Sequence, residues 1–396
     1  MDNSYEDENQ GNWLLTPILF ISQLTTRPAA ILMGFVLMDV AQTFSTTVGV
    51  AGQIVTAASI GGLIVSPFLA ALSVRYKPST LLLAGISFLT VSSLGCSFAF
   101  NYASMLLFYS LSGLGAAMVT PMIMTIVGER IPEERRAGTI GRIIASTPIL
   151  STLVGLTITW IISRGWKTAF LLFVFPINTM CLILASLGLR RAAGPEHRQE
   201  ASRSIREGFK EILGNSSALA CLLGTVLTQM IWWSMLGYVV SFYRQHWGIS
   251  TEFVGVIWSA NTLVFVIGSM LCGRVVPRFG RKRLTWLTVL IVGLLTILYP
   301  NAPNHYVSIF SNLTISTLLA FWWSSSSDLA LAQVPEYKGS MMSLNSGSSG
   351  LGAALGSAIG GLIITVGGYG LMGTVFGIAG IAAFLIVFLF AIDPSH

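Results

Sequence analysis

The chain has 396 residues, of which 53% are hydrophobic and 10% are charged, and its net charge at pH 7 is +6. Its mean hydropathy is +0.75. Soluble globular proteins average about 25% charged residues, so this composition excludes a soluble globular protein and indicates an integral membrane protein.

Apolar runs of about 20 residues recur along the whole chain, and short polar loops separate them, as expected for several transmembrane helices. The runs lack the period-two alternation of β-strands, and only helices or closed barrels satisfy the backbone in lipid. An all-α integral membrane fold is therefore predicted. Its twelve expected spans are residues 13–37, 48–72, 79–100, 103–127, 140–163, 168–189, 217–241, 253–273, 284–300, 307–331, 340–365 and 371–391.

Polar segments divide the chain into parts. The acidic start, MDNSYEDENQ, lacks the basic residues of a signal peptide. Between spans 6 and 7 lies a charged linker whose second part has the pattern of a short amphipathic surface helix. The predicted domains are an N-terminal tail (1–12), a six-helix bundle (13–189), the linker (190–216), a second six-helix bundle (217–391) and a C-terminal tail (392–396).

Lysine and arginine indicate the orientation of these spans. Eighteen of the 22 Lys and Arg residues lie on the side of the two termini, and three lie on the other side. Positive residues concentrate on the cytoplasmic side of membrane proteins, so both termini are predicted to be cytoplasmic in a multi-pass protein of the cytoplasmic (cell) membrane. This distribution also explains the net charge, so no nucleic-acid partner is expected.

The two halves repeat each other at one gapless offset of 203 residues. For example, AGQIVTA at 51–57 aligns with VGVIWSA at 254–260, and IPEERRAG at 131–138 aligns with VPEYKGS at 334–340. The pairs that match at this offset include Gly52 with Gly255, Arg75 with Arg278, Pro132 with Pro335, and Trp166 with Tyr369. The repeat predicts two like-oriented bundles, and this architecture places a binding site between them near the membrane midplane.

These features together resemble the major facilitator superfamily of transporters. GRVVPRFGRKR at 273–283 is similar to the family's signature in loop 8–9, and RGWKTAF at 164–170 after span 5 also fits. The resemblance implies secondary transport of a small molecule by alternating access in a lipid bilayer, by a protein expected to be a monomer without a cofactor. Arg75 and Arg278 are the loop residues that the resemblance places in cytoplasmic gating.

Some family motifs are altered. Pro277 replaces the acidic residue of the loop 8–9 signature, and Val74 replaces it in loop 2–3. Tyr109 stands where many proton-coupled drug exporters have an arginine, and span 5 lacks the Gly-Pro-x-x-Gly-Gly run of antiporters. The two departures in spans 4 and 5 count against a drug–proton antiporter.

Arg27 is the cation that no loop explains. It is roughly 15–20 Å from either end of the first span at about 1.5 Å rise per residue, where an arginine costs about 2.5–3.5 kcal/mol. No acidic residue is predicted at this depth. The guanidinium pairs well with carboxylate or phosphate, so a substrate anion is one expected partner, and a packing contact inside the bundle is the other. RPAAILMGFVL at 27–37 also resembles the first helix of the cyanate and nitroimidazole transporter branch.

Further polar and aromatic residues are predicted in the spans. Gln23 shares one helical stripe with Arg27 if the span is a continuous helix. The candidate substrate-binding residues are Arg27, Gln23, Tyr109, Gln229, Trp233, Asn261, Asn312 and Trp323. The tryptophans belong to the Trp232–Trp233 and Trp322–Trp323 pairs, which could equally be packing or interface residues.

Two acidic residues complete the candidates for coupling and gating. Asp39 is expected to end the first helix, and Asp328 is the acid placed deepest in a span. Asp328 could bind a coupling proton, or it could pair with Lys338 or Arg274 at the cytoplasmic end.

A transporter is one of three functional classes compared. The favoured substrate is a small organic solute with an anionic group, and the alternative is a proton-coupled efflux carrier of hydrophobic drugs or metabolites. An enzyme is disfavoured because the four histidines lie in predicted loops or tails and no metal or nucleophile–base pattern is found. A receptor is disfavoured because no large extramembrane domain is present.

Overall fold

The structure, a computed structural model, describes residues 15–131, 133–191 and 202–393. These residues form helices and connecting turns, and none of them forms a β-strand. The all-α class is therefore confirmed. The predicted N-terminal tail, part of the linker (192–201) and residues 394–396 lie outside the described residues.

The described residues of the first half of the chain form nine α-helices, some of them very short. They are α1 (residues 15–24), α2 (Pro28–Thr43), α3 (Val48–Ala51), α4 (Gln53–Arg75), α5 (Pro78–Ser97), α6 (Tyr102–Arg130), α7 (Glu133–Ile162), α8 (Trp166–Ala169) and α9 (Phe175–Arg191). A π-helix at Phe170–Val174 joins α8 to α9.

The second half contains six longer helices. They are α10 (Ser202–Gly214), α11 (Ser216–His246), α12 (Thr251–Phe279), α13 (Arg281–Leu298), α14 (His305–Gln333) and α15 (Lys338–Phe390). A short 3-10 helix at Pro335–Tyr337 precedes α15. Helix α10 lies within the predicted linker.

The described residues include nine helices that are long and apolar enough to cross a membrane. Helix α15 has 53 residues, a length of roughly 80 Å, whereas the hydrocarbon core is about 30 Å thick. Gly368 interrupts it with φ +72°, a conformation that glycine adopts without steric cost. The predicted spans 340–365 and 371–391 lie on the two sides of this kink, and the total of twelve spans stays a prediction.

Helix boundaries follow the repeat. Helix α6 (Tyr102–Arg130) and helix α14 (His305–Gln333) each have 29 residues, and their first residues, 102 and 305, differ by the 203-residue offset. The N-terminal residues of α5 and α13, Pro78 and Arg281, differ by the same number. The offset that joins short sequence motifs thus also aligns whole helices.

The described residues fall into two compact units. Unit 1 comprises residues 15–40 and 57–191, and unit 2 comprises residues 41–56 and 202–393. The core of unit 1 includes Leu82, Ile86, Val119 and Ile123, which come from α5 and α6. In unit 2, Ile212 of the linker helix joins a core formed with α11, α14 and α15.

Residues 41–56 belong to unit 2, although in sequence they lie in the first half of the chain. The Gln53 amide donates to the Ala358 carbonyl at 3.1 Å. A Cβ atom at Gly49 would lie 2.2 Å from the Gly361 carbonyl oxygen, so the backbones of α3 and α15 touch. The sequence-derived domain boundaries themselves stay a prediction.

In unit 1, α4 and α6 cross with their backbones in contact. A Cβ atom added at Gly113 would lie 1.7 Å from the Ala58 carbonyl oxygen. Small residues allow such close approach, on which helix association in membranes depends.

We therefore expect Gly113→Ala to force α4 and α6 apart and to destabilise the protein by about 1–3 kcal/mol. Gly128→Ala in the same helix is the matched control, because no atom lies within 4 Å of the Cβ position there and alanine is the better helix former by up to about 1 kcal/mol. Thermal unfolding of the purified protein in detergent should show a lower midpoint for the first variant alone. Equal midpoints would contradict the close crossing.

Candidate functional site

Helix 1 is broken next to its arginine. Helix α1 ends at residue 24, Thr25 and Thr26 form a turn, and α2 begins at Pro28. The Thr25 hydroxyl donates to the Ser22 carbonyl at 2.7 Å, and the Thr26 hydroxyl donates to the Gln23 carbonyl at 2.8 Å. The threonine side chains thus satisfy carbonyl groups at the end of α1.

The prediction of one continuous helix over residues 13–37 is wrong. Pro28 has no N–H for the Leu24 carbonyl, and the residue before a proline is disfavoured in the α conformation. Helix α11 provides the comparison, because its equivalent of Pro28 at the repeat offset is Ile231 and it continues unbroken through that position. Its Thr228, the equivalent of Thr25, bonds its own helix at Gly224.

Arg27 lies at the bend of this break, half-buried, and immediately before the first residue of α2. The first hydrogen bond of α2 runs from the Ile31 N–H to the Arg27 carbonyl at 3.0 Å. The first N–H groups of a helix have no intrahelical acceptor and carry a partial positive charge. The positively charged residue Arg27 thus immediately precedes the positive end of α2 in unit 1.

Helix α6 supports both sides of the break. The buried Tyr109 hydroxyl donates to the Ala29 carbonyl at 3.4 Å. On the other side, the side-chain amide nitrogen of Gln23 lies 3.2 Å from the Thr120 hydroxyl, and that hydroxyl lies 3.3 Å from the Gln23 side-chain oxygen, Oε1. Gln23 and Tyr109 thus contact residues on the two sides of the break that contains Arg27, and their role in substrate binding stays a prediction. Thr120 was missed, because an isolated threonine in an apolar helix gives no signal.

Unit 2 contains a polar cluster that unites two other predicted residues. Asn261 of α12 donates from its amide nitrogen to the side-chain oxygen of Asn312 of α14. The Ser316 hydroxyl donates to the Asn261 side-chain oxygen at 2.8 Å. We call these three residues the amide cluster.

The remaining binding candidates are dispersed over unit 2. Gln229 is buried, and its side-chain oxygen has no hydrogen-bond partner among the described residues. Trp233 is half-buried. In the α14 pair, Trp322 is buried whereas Trp323 is 47% exposed, so the predicted residue is the outer member of the pair.

The two acidic candidates, Asp39 and Asp328, do not have the positions that the sequence predicts. Asp39 is half-buried within α2, which continues to Thr43, and so Asp39 does not end that helix. The Asp328 side chain is 55% exposed, so it is not a buried acid. The two gating arginines, Arg75 and Arg278, are both exposed, at or near the ends of α4 and α12.

The main ion pair of unit 2 involves neither Lys338 nor Arg274. Arg281 at the start of α13 donates to Asp393 from both Nε and Nη2, each at 2.8 Å. Asp328 lies 3.9 Å from the same guanidinium. Asp393, with a side chain only 7% exposed, had been assigned to the C-terminal tail, and nothing in its local sequence marks it as a partner.

Over the described ranges, no group of three or more His, Cys, Asp or Glu residues is arranged to hold a metal ion. What the two polar regions offer is charge and hydrogen-bond donors, which suit the binding of a solute.

The sequence of the chain is similar to those of known proteins. The family model described as "Major Facilitator Superfamily" matches residues 18–300 and 221–396. The chain is 24% identical over 390 residues to the uncharacterised MFS-type transporter YwfA of Bacillus subtilis, covering 93% of this chain and 92% of that protein. It is 22% identical over 422 residues to a gallate transporter of Pseudomonas putida, covering 95% and 91%.

The fold matches solved transporters as well. A crystal structure of a D-xylose–proton symporter superimposes with a TM-score of 0.77 at 15% identity, covering 96% of this chain and 98% of that one. At this identity the similarity shows the fold alone.

We expect Pro28→Ala to close the helix break. The alanine N–H can donate to the Leu24 carbonyl, so amide hydrogen exchange of residues 24–31 should slow. Pro78→Ala is the control, because Pro78 opens α5, where an added N–H has no intrahelical acceptor. Hydrogen-exchange mass spectrometry measures both variants, and unchanged exchange in the first would show that proline does not cause the break.

Asp393→Ala should destabilise the protein by about 3 kcal/mol, because it leaves Arg281 without the buried member of its ion pair. Asp328→Ala should change stability by less than about 1 kcal/mol, since its side chain is exposed and its contact is long. Thermal unfolding midpoints of the two variants give the comparison. A larger loss of stability for Asp328→Ala than for Asp393→Ala would show that Asp328 is the main partner of Arg281.

Proposed function

Because the chain belongs to the Major Facilitator Superfamily, we propose that this membrane transporter carries a small organic anion whose acidic group binds Arg27 at the break of helix 1. Members of this family are secondary transporters and not enzymes, so the protein is a multi-pass membrane carrier. Its placement in the cytoplasmic membrane is part of the proposal, as is alternating exposure of the Arg27 site to the two sides of that membrane.

The observation that carries the proposal is the coincidence of Arg27 with the N-terminus of α2. The guanidinium offers five N–H donors in a planar fork that matches a carboxylate. The adjacent helix N-terminus favours an anion by about 0.3–1 kcal/mol, or more where it is partly buried. Both features repel a cation, so their combination selects for negative charge.

The supports around the break favour binding over simple packing. Tyr109 and Thr120 of α6 hold residues on either side of it, so the backbone around Arg27 keeps its position without a ligand. A preorganised backbone loses less conformational entropy when the solute binds.

The relatives are compatible with an anionic substrate. The gallate transporter is named for a carboxylate, and its similarity covers nearly the full length of this chain. Its identity of 22% does not transfer the substrate, so the proposal extends only to the carboxylate class.

The test uses pairs of ligands that differ in charge alone. Purified protein should be stabilised by one or more members of a carboxylate panel that includes gallate and benzoate, and not by their methyl esters. A ligand at 100 times its Kd raises stability by about 2.7 kcal/mol, which a thermal-shift assay detects.

Arg27→Lys should weaken binding of the carboxylate at least tenfold, because lysine keeps the charge but loses the bidentate fork. Arg27→Ala should abolish its uptake into proteoliposomes. Arg142→Lys is the control, since Arg142 is exposed on α7. Full uptake by Arg27→Ala, or equal binding of acid and ester, would instead support the alternative, a proton-coupled exporter of hydrophobic solutes.

A further inference from the structure

The amide cluster occupies a helix crossing that has an equivalent in unit 1. At the repeat offset of 203, Ala58 corresponds to Asn261, Gly113 to Ser316, and Tyr109 to Asn312. Helices α4 and α6 cross in unit 1 at Ala58 and Gly113, and α12 and α14 cross in unit 2 at the corresponding residues. The same structural position is therefore built in two ways in one chain.

The unit 1 crossing shows what packing alone requires. There, Gly113 lies directly on the Ala58 backbone, and no polar side chain is needed at either position. In unit 2 the same crossing carries an amide and a hydroxyl, joined by a hydrogen bond of 2.8 Å. Polar side chains within a membrane span are costly and are retained mainly for function.

Asn312 has donors that the cluster does not use. It is only 3% exposed, and its side-chain oxygen accepts the bond from Asn261. Its amide nitrogen donates no hydrogen bond to any of the described residues. This nitrogen is not among the fully enclosed polar atoms that lack a partner in that part of the chain, so an acceptor from outside the protein can reach it.

The cluster also determines which way Asn312 presents these donors. Asn261 and Ser316 form a chain of hydrogen bonds that ends on the Asn312 oxygen. This chain fixes the amide plane, so that the nitrogen points away from the cluster. None of the three side chains is charged, and an ion would lose its hydration here without gaining a counter-charge.

We propose that the amide cluster is a subsite for an uncharged oxygen of the transported solute, such as a hydroxyl or a carbonyl group, which accepts a hydrogen bond from Asn312 Nδ2. Asn261 and Ser316 are positioning residues that act through Asn312. The inference rests on the proposed transport of a small organic solute and not on the role of Arg27.

The competing explanation is that the cluster only joins α12 to α14. Interhelical hydrogen bonds between polar side chains stabilise membrane helices by about 0.6 kcal/mol on average. That role affects the stability of the protein without ligand and does not affect discrimination between solutes, so the two explanations make different predictions.

The experiment compares solutes that differ by one kind of uncharged polar group. Benzoate with 4-hydroxybenzoate, benzoate with gallate, and propionate with lactate are suitable pairs, and binding to purified full-length protein is measured by thermal shift and titration. We expect the wild type to prefer the hydroxylated member of at least one pair by roughly three- to tenfold, the value of one hydrogen bond.

Asn312→Leu removes the donors at similar volume and should abolish this preference. The triple variant Asn261→Ala, Ser316→Gly, Asn312→Leu places the alanine and glycine of the unit 1 crossing at positions 261 and 316, so it provides a second test if the single variant folds poorly. Thr317→Val is the matched control, because the Thr317 hydroxyl bonds its own helix at the Leu313 carbonyl at 3.0 Å. This control should keep the full preference.

Three results would overturn the subsite. They are an unchanged preference in Asn312→Leu, a lower melting temperature of the unliganded variant with discrimination intact, and a wild type that prefers no hydroxylated member. The outcome is distinguishable from failure of the anion proposal, which concerns acids against their methyl esters and Arg27 variants. If Asn312→Leu loses the preference for hydroxylated solutes but still binds acids better than their methyl esters, the amide cluster and Arg27 recognise different groups of the solute.

Discussion

The structure depends on the requirement that backbone polar groups be satisfied in the absence of water. In lipid an unpaired N–H or carbonyl group costs several kcal/mol, so the helices of this chain run uninterrupted over most of their length. The break at residues 25–27, like the kink at Gly368 in α15, interrupts a helix and needs an explanation. Two threonine hydroxyls accompany it by donating to carbonyl groups at the end of α1.

Close backbone contacts between helices also stabilise the structure. Apolar side chains gain little when they leave lipid for protein, so association relies on packing, and small residues allow it. Gly113 on Ala58 in unit 1 and Gly49 on Gly361 in unit 2 are the tightest examples. Such contacts tolerate no added methyl group, whereas the lipid-facing side chains between them can vary.

Much of the fold follows from the sequence because it depends on composition and period. Long apolar runs, the arginine-rich loops and the 203-residue offset predict the helices and their duplication, and the depth of Arg27 marks it without any structure. The break was missed because the Thr-Thr-Arg-Pro stretch was treated as part of a regular helix. Pro28 was the available signal, since a proline removes the hydrogen bond that a continuous helix needs.

Tertiary contacts between distant residues were harder to predict. Arg281 pairs with Asp393, 112 residues away, and local sequence cannot decide between that carboxylate and Asp328, only one of which is buried. For the same reason, the periodicity of α14 placed Trp322 and Trp323 in a span but did not show which one is buried. Of the predicted candidates, Asn261 and Asn312 are directly bonded to each other, although they are 51 residues apart in sequence.

The duplicated chain has diverged most at its polar positions. The equivalents of Arg27 and Pro28 in unit 2 are Met230 and Ile231, so α11 carries neither the charge nor the break. Conversely, the amide cluster of unit 2 corresponds to a crossing of small residues in unit 1. Duplication alone would give two similar surfaces, and a solute without internal symmetry cannot use both equally. The polar side chains that distinguish the two units are therefore not inherited from the repeat but belong to each unit separately.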